Sequence, residues 1–370
     1  MQFAVLAVGP QYKRGILEMN WRKKGIALAL LVGVVASAGY VGDAQMASAQ
    51  SAAAKTAHDK QSIVHTKTTV RSSGKASASK HRGQAVATEP KASFPLTILD
   101  EAGHRVKISK PPVRIASTTE GTDEILSALV PRKNVVMVTT FASQPLYSNV
   151  VGWAKGIRAI NQVNAEQVLS VKPDLVLMAS YNSPGVVAQI EQTGAPVFEF
   201  ANFNSIRDIE ANIALVGRLV GQQPRADRVV QAMKKQLGVI SHDVAQQHRV
   251  TVLDYSSYGY AAGKNTTVDS IIRHAGGINA ASNISGWKMI TDEEIVKMNP
   301  QVIIDARGDS LAKIIHNPAL ASVAAIKNHR VYYVNGAELS AVSQYIVRGV
   351  RDVAHTLYPN VTLPADSQLQ

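Results

Sequence analysis

Two segments of this chain repeat one plan. Residues 164–180, NAEQVLSVKPDLVLMAS, and residues 291–307, TDEEIVKMNPQVIIDAR, each run from polar residues through a glutamate and a short amphipathic stretch to a proline and a β-branched run. Glu166 stands seven residues before Pro173, and Glu293 seven before Pro300. Any helix–proline–strand unit shares this outline, but the outline alone does not require the same glutamate offset in both copies. The repeat predicts two lobes built to one design and related by a rough two-fold. A chain of 370 residues with 46% hydrophobic content is long enough to fill both.

Around the repeat, short β-branched runs alternate with amphipathic stretches, which is the pattern of α/β layers. Strands are expected at Val113–Ser117, Val135–Thr139, Asp174–Ala179, Pro196–Phe200, Arg249–Tyr255, Val302–Ala306 and Arg330–Val334. Helices are expected at Asp123–Leu129, Ala165–Val171, Gly185–Gln192, Val268–His274, Asp292–Met298 and Ser343–Tyr358, and a short hairpin joins Leu96–Leu99 to Val106–Ile108. Between the halves, Ser205–Gln247 carries no strand signal: Ile209, Ile213, Val216 and Val220 recur at helical spacing, Gly221 interrupts, and Pro224 opens a second helix through Val229, Met233 and Leu237. The expected divisions are 1–49, an export signal or N-terminal anchor; 50–93, a disordered basic linker; 94–204, one lobe; 205–248, the interlobe helices; 249–360, the second lobe; and 361–370, a tail.

The export reading rests on Arg22, Lys23 and Lys24, the apolar run Gly25–Ala38, and Ala47-Ser48-Ala49, the order of a secretory signal. The apolar run is shorter than the roughly 20 residues that span a bilayer, which favours cleavage over a permanent anchor; an uncleaved segment would tether the protein to the outer face of the membrane. Met19 is an alternative start. From Gln50 to Ser93 almost no large apolar residue occurs, too little to offset the entropy of ordering. His58, His65 and His81 lie in this stretch at irregular spacing.

Charge points to nucleic acid only superficially. Of the formal +12, residues 1–93 carry +9, leaving the folded part nearly balanced and without a basic, aromatic-interleaved stripe, so nucleic acid is not an expected partner. The absence of cysteine removes disulfides, thiolate metal sites and cysteine nucleophiles. Enzymatic chemistry finds no support either: YGYAAGKNTT (258–267) lacks the GK[ST] ending of a phosphate loop, and no nucleophile elbow or acid–base pair stands out.

Taken in order, PPVRIAS, DEILSALV, NAEQVLSVKPDLVL, VDSIIRHAGGINAA, WKMITDEEIVKMNPQVII and HRVYYVN resemble the blocks of the iron-siderophore and cobalamin class of periplasmic substrate-binding proteins of ABC importers, from about Phe94 to Pro359. The resemblance implies a class III fold: two Rossmann-like α/β lobes with central parallel sheets, joined by a long rigid interlobe helix. It implies no enzyme activity and no resident cofactor, but capture of a metal chelate. The implied partners are an ABC permease dimer in the membrane and its cytoplasmic ATPase. It also implies that Glu166 and Glu293 dock on the permease, against the plainer reading of first-turn glutamates favoured by the helix dipole.

A ligand between such lobes meets the loops at the carboxyl ends of the strands. There the sequence offers Tyr181, Tyr258, Tyr260 and Trp287 as flat surfaces and Arg307 as a fixed charge, with Trp153, Tyr147, Tyr345 and Arg348 as further candidates. No metal ligands are assigned in the cleft, because the histidines of the folded region fall largely in or beside helices. The resemblance disfavours haem, since haem-binding members place a ligating tyrosine shortly before the NAE block and Gly156–Val163 contains no Tyr or His. It leaves a haem receptor as an alternative in which Tyr181 or Tyr258 ligates. Ala179 stands where cobalamin binders carry a second tryptophan, which favours a ferric siderophore, although Trp287 lies six residues before Glu293 at cobalamin-type spacing. A tethered sensor that does not transport is the competing reading from another class.

Overall fold

The computed structural model describes residues 93–255, 259–308 and 310–364. The expected export segment, the linker as far as residue 92, Tyr258 and the tail from residue 365 lie outside them. Among the described residues no helix is long and apolar enough to cross a membrane.

The first lobe opens with an antiparallel hairpin, β1 (Leu96–Leu99) and β2 (Arg105–Ile108). Then follow β3 (Ile115–Ser117), α1 (Glu120–Leu129), β4 (Val135–Thr139), α2 (Val151–Ala154), β5 (Arg158–Ile160), α3 (Ala165–Ser170), β6 (Leu175–Ala179), α4 (Pro184–Glu191) and β7 (Val197–Phe200). β3 to β7 form one parallel sheet in the order β5-β4-β3-β6-β7. β3, β6 and β7 are buried at every position, as expected for strands covered on both faces.

Two helices leave this sheet, α5 (Ile206–Leu219) and α6 (Gln223–Val244). The connector is thus a packed pair rather than a single rod, broken around Gly221 where the sequence places the break. α5 buries Ile206, Ile209, Ile213 and Val216, and α6 buries Val230, Met233, Leu237 and Ile240, all in one core that runs on into both lobes. Val230 is buried in α6, and Val229 packs half-buried against the same core.

The second lobe comprises β8 (Thr251–Asp254), β9 (Tyr260–Ala262), α7 (Thr267–His274), β10 (Ile278–Asn279), β11 (Trp287–Met289), α8 (Asp292–Met298), β12 (Val302–Asp305), α9 (Leu311–Ile315), α10 (Ala324–Lys327), β13 (Val331–Tyr333), α11 (Gly336–Leu339) and α12 (Ile346–Leu357). Its parallel sheet runs β10-β8-β12-β13, and β9 pairs separately and antiparallel with β11. The last helix starts at Ile346 rather than Ser343, because Ser343 and Gln344 are buried and spend their side chains on the other lobe.

The sequence repeat is a structural repeat. β6 lies beside β3 and β12 beside β8, so each copy supplies the neighbour of the first strand of its lobe's parallel sheet. The residue before each proline is left-handed, Lys172 at φ 47° and Asn299 at φ 44°, since proline disfavours the right-handed helical region there. The residue after each proline then pins the first strand. Asp174 accepts the amides of Val113 (2.9 Å) and Arg114 (2.8 Å), and Gln301 accepts that of Thr251 (2.9 Å). Glu166 and Glu293 occupy the same second position of the helices capped by Asn164 and Thr291, and both are exposed.

Candidate functional site

In an open parallel sheet the binding crevice forms where strand order reverses, outside the carboxyl ends of the strands. In the first lobe the reversal falls at β3, between β4 and β6; in the second it falls at β8, between β10 and β12. Both points carry buried acids. At the first, the opening turns of α1 place Glu120, Asp123 and Glu124 together. Asp123 accepts the amide (2.9 Å) and hydroxyl (2.7 Å) of Thr139 from β4, and burial pushes its carboxyl up to about 7. Burial, then the carboxyls of Glu124 and Asp123, holds Glu120 well above the usual range. One carboxyl oxygen of Glu120, Oε1, is buried with no hydrogen-bond partner among the described residues. At the second, burial and then Asp305 raise Asp254 to about 8, while Asp305 accepts from Gly308 N (3.0 Å) and Ser310 Oγ (2.5 Å).

The lobes meet along a polar seam beside these acids. Glu124 of α1 accepts from Ser343 Oγ, Asn149 N (2.7 Å) and Asn149 Nδ2 (2.9 Å), and its backbone carbonyl accepts Gln344 Nε2 (2.9 Å). Asn149 also donates to the Ala337 carbonyl (2.9 Å), and Arg348 reaches Asn149 Oδ1 at 3.5 Å. Arg307, just after β12, donates to the Tyr147 hydroxyl at 3.3 Å.

The structure gathers part of the expected set. Arg307, Tyr147 and Arg348 join at the seam, where the Arg348 guanidinium lies 4.5 Å from the centre of the Tyr345 ring. Tyr181, just after β6, is 45% exposed and meets Phe203 edge-on at 6.1 Å. The surrounding protein, then Asp123 and Glu120, raises its phenol to about 12, so it remains a hydrogen-bond donor. Tyr260 and Trp287 sit on the paired strands β9 and β11, opposite Met289 and Ala262 respectively. Trp287 is half-buried against the core with its indole nitrogen unpartnered among the described residues, and it also lines a cavity of about 640 Å³ in the second lobe, with Ile284, Lys288, Glu294 and Met298. Trp153 is half-buried against the core of the first lobe.

Sequence reasoning missed Glu120, Asp123, Glu124, Asp254 and Glu338. Burial and then a hydrogen bond with Asp352 push Glu338 up to about 8. The spacing of the three α1 acids, in the first two turns after the switch-point strand, was a readable signal; the burial of Asp254 was not.

The family profile described as periplasmic binding protein matches residues 115–337. The ABC transporter substrate-binding lipoprotein YvrC of Bacillus subtilis, itself uncharacterized, is 30% identical over 72% of this chain and 87% of its own length. A cobalamin-binding protein of Halobacterium salinarum is 26% identical over 73% of this chain and 76% of its own. Among solved structures, a possible iron-binding periplasmic solute-binding protein of Staphylococcus epidermidis superposes with a TM-score of 0.59 at 26% identity, covering 67% of this chain and 100% of that one.

The buried acids make stability fall as pH rises. Asp254 titrates near 8 when folded, against about 3.9 when unfolded, so between those values the folded state holds a proton that the unfolded state has lost. Melting experiments from pH 5 to pH 8 should show declining stability, by at most roughly 1.4 kcal/mol per pH unit per group, and Asp254→Asn should flatten the decline. An unchanged slope in that variant would contradict the assignment.

With the profile, the relatives and two lobes meeting at their switch points, the chain belongs to the periplasmic binding protein family, the extracytoplasmic solute-binding components of ABC importers, which work with a membrane permease and its ATPase and are not enzymes.

Proposed function

We propose that the solute is an organic metal chelate held between the lobes. The observation that carries this reading is the Arg307–Tyr147 bridge across the crevice at 3.3 Å, with Tyr181 and Phe203 forming an aromatic wall on the first lobe. A guanidinium beside flat amphipathic rings suits a bulky planar or polyoxygenated complex with peripheral acidic groups. Burial raises both neighbouring acids, Asp123 to about 7, which lessens their repulsion of an acidic solute. Ala179 supports a ferric siderophore. The name of the Halobacterium relative, together with Trp287 six residues before Glu293, supports a corrinoid, and we place the corrinoid first.

Titration of tryptophan fluorescence with a cobalamin, ferric siderophores and haemin tests this. One of them should saturate at submicromolar concentration and one per chain, and Arg307→Ala should weaken it at least tenfold, about 1.4 kcal/mol. Indifference to all three removes the chelate reading.

For Glu166 and Glu293 we propose permease docking, one per lobe. Two exposed carboxylates at matching positions suit a two-fold partner, and exposed charges of this kind govern register and association rate more than affinity. The Thr291 side chain holds Glu293 below the usual carboxylate range, which keeps it charged. Glu166→Arg combined with Glu293→Arg should leave solute affinity unchanged and abolish uptake in cells carrying the cognate permease; undiminished uptake, or lost solute binding, would contradict this.

A further inference from the structure

Away from the crevice, the turn of the β1–β2 hairpin is strapped to the edge strand β7. Glu101 donates its amide to the Glu199 carbonyl (3.1 Å), and its carboxylate takes the amides of Ala201 (2.5 Å) and Asn202 (2.8 Å). This strapping brings three metal-ligating side chains together: Asp100, His104 and Glu199, whose ligand atoms all lie within 4.8 Å of one another.

The details are those of a coordination site rather than a hydrogen-bonded cluster. Asp100 is almost wholly buried, its side chain 1% exposed, and Glu199 is 8% exposed. Asp100 Oδ1 accepts the His104 backbone amide at 2.7 Å, while Oδ2 points into the cluster with no hydrogen-bond partner among the described residues. His104 Nδ1 stands 3.5 Å from that oxygen and 3.6 Å from Glu199 Oε2. Those separations exceed a normal N–H···O bond of 2.7–3.2 Å. Two ligands each ~2.1 Å from a tetrahedral ion are about 3.4 Å apart, close to both values. A cation between two neighbouring buried carboxylates relieves their repulsion, and an imidazole as third donor favours a zinc-type transition metal over calcium or magnesium. The His104 ring is 54% exposed, which leaves the fourth position open to water.

We infer that Asp100, His104 and Glu199 form a divalent transition-metal site of the zinc type that clamps the N-terminal hairpin to β7. The clamp would also steady the loop after β7, whose Phe203 contacts Tyr181.

Calorimetric titration of the full chain with zinc ion tests this, against His104→Ala and Glu199→Gln. His104 is a half-exposed turn residue, so its truncation leaves the fold intact, and histidines of the N-terminal tail are common to all three proteins. The wild type should bind one zinc equivalent that both variants lose or bind at least tenfold more weakly. Saturating zinc should raise the wild-type melting temperature more than that of His104→Ala. Cobalt(II) should show a d–d band absent from the variant. Equal stoichiometry and affinity in wild type and His104→Ala would overturn the site and leave His104 as a simple counter-charge.

Discussion

A carboxylate buried between the lobes governs how this molecule is held. Glu124 belongs to the first helix of one lobe, yet Ser343 and Gln344 of the other lobe both donate to that residue. Burial raises the carboxyl, and the Ser343 and Asn149 donors pull it back toward ionisation. Leaving such a group without its donors costs roughly 1–3 kcal/mol, so the seam resists opening. Two glycines permit the close approach. A Cβ on Gly121 would overlap Val342, and one on Gly336 would lie 2.8 Å from the Leu146 carbonyl of the opposite lobe.

The α5–α6 pair works in the same direction. Its apolar stripes belong to one buried cluster with residues of both lobes, so displacing one lobe would expose Ile209, Ile213, Met233 and Leu237. A receptor stiffened at both the seam and the connector presents its crevice already shaped. Less ordering cost is then charged against the solute, and complementarity of the walls decides what is bound. The strap on the β1–β2 hairpin extends the same logic to the rim.

Much of this was legible in the sequence because it is periodic. The repeat at Glu166 and Glu293 foretold two lobes, and the structure gives it a cause in the proline-bounded turns and the strand-pinning Asp174 and Gln301. Val135–Thr139 and Asp292–Met298 fall as expected, because one is a clean β-branched run and the other carries its own cap, Thr291 with Glu294. β5 and β10 escaped because three and two residues leave no pattern to read. The site was less legible. The candidates Arg307 and Tyr181 follow strands and could be picked by position, and the spacing of Glu120, Asp123 and Glu124 was readable, but Asp254 carries no local sign that a charged residue will be buried. His104 and Glu199 meet only through tertiary folding.

Hydrogen exchange resolved by mass spectrometry, with and without bound solute, tests the stiff two-lobe account most directly. Amides of Ile206–Leu219 and of Tyr345–Val347 should exchange only through global unfolding, so solute should slow them only by the amount that it raises global stability, while protecting the crevice loops directly. Fast exchange of the seam while each sheet stays protected would mean that the lobes swing apart freely, and would contradict the account.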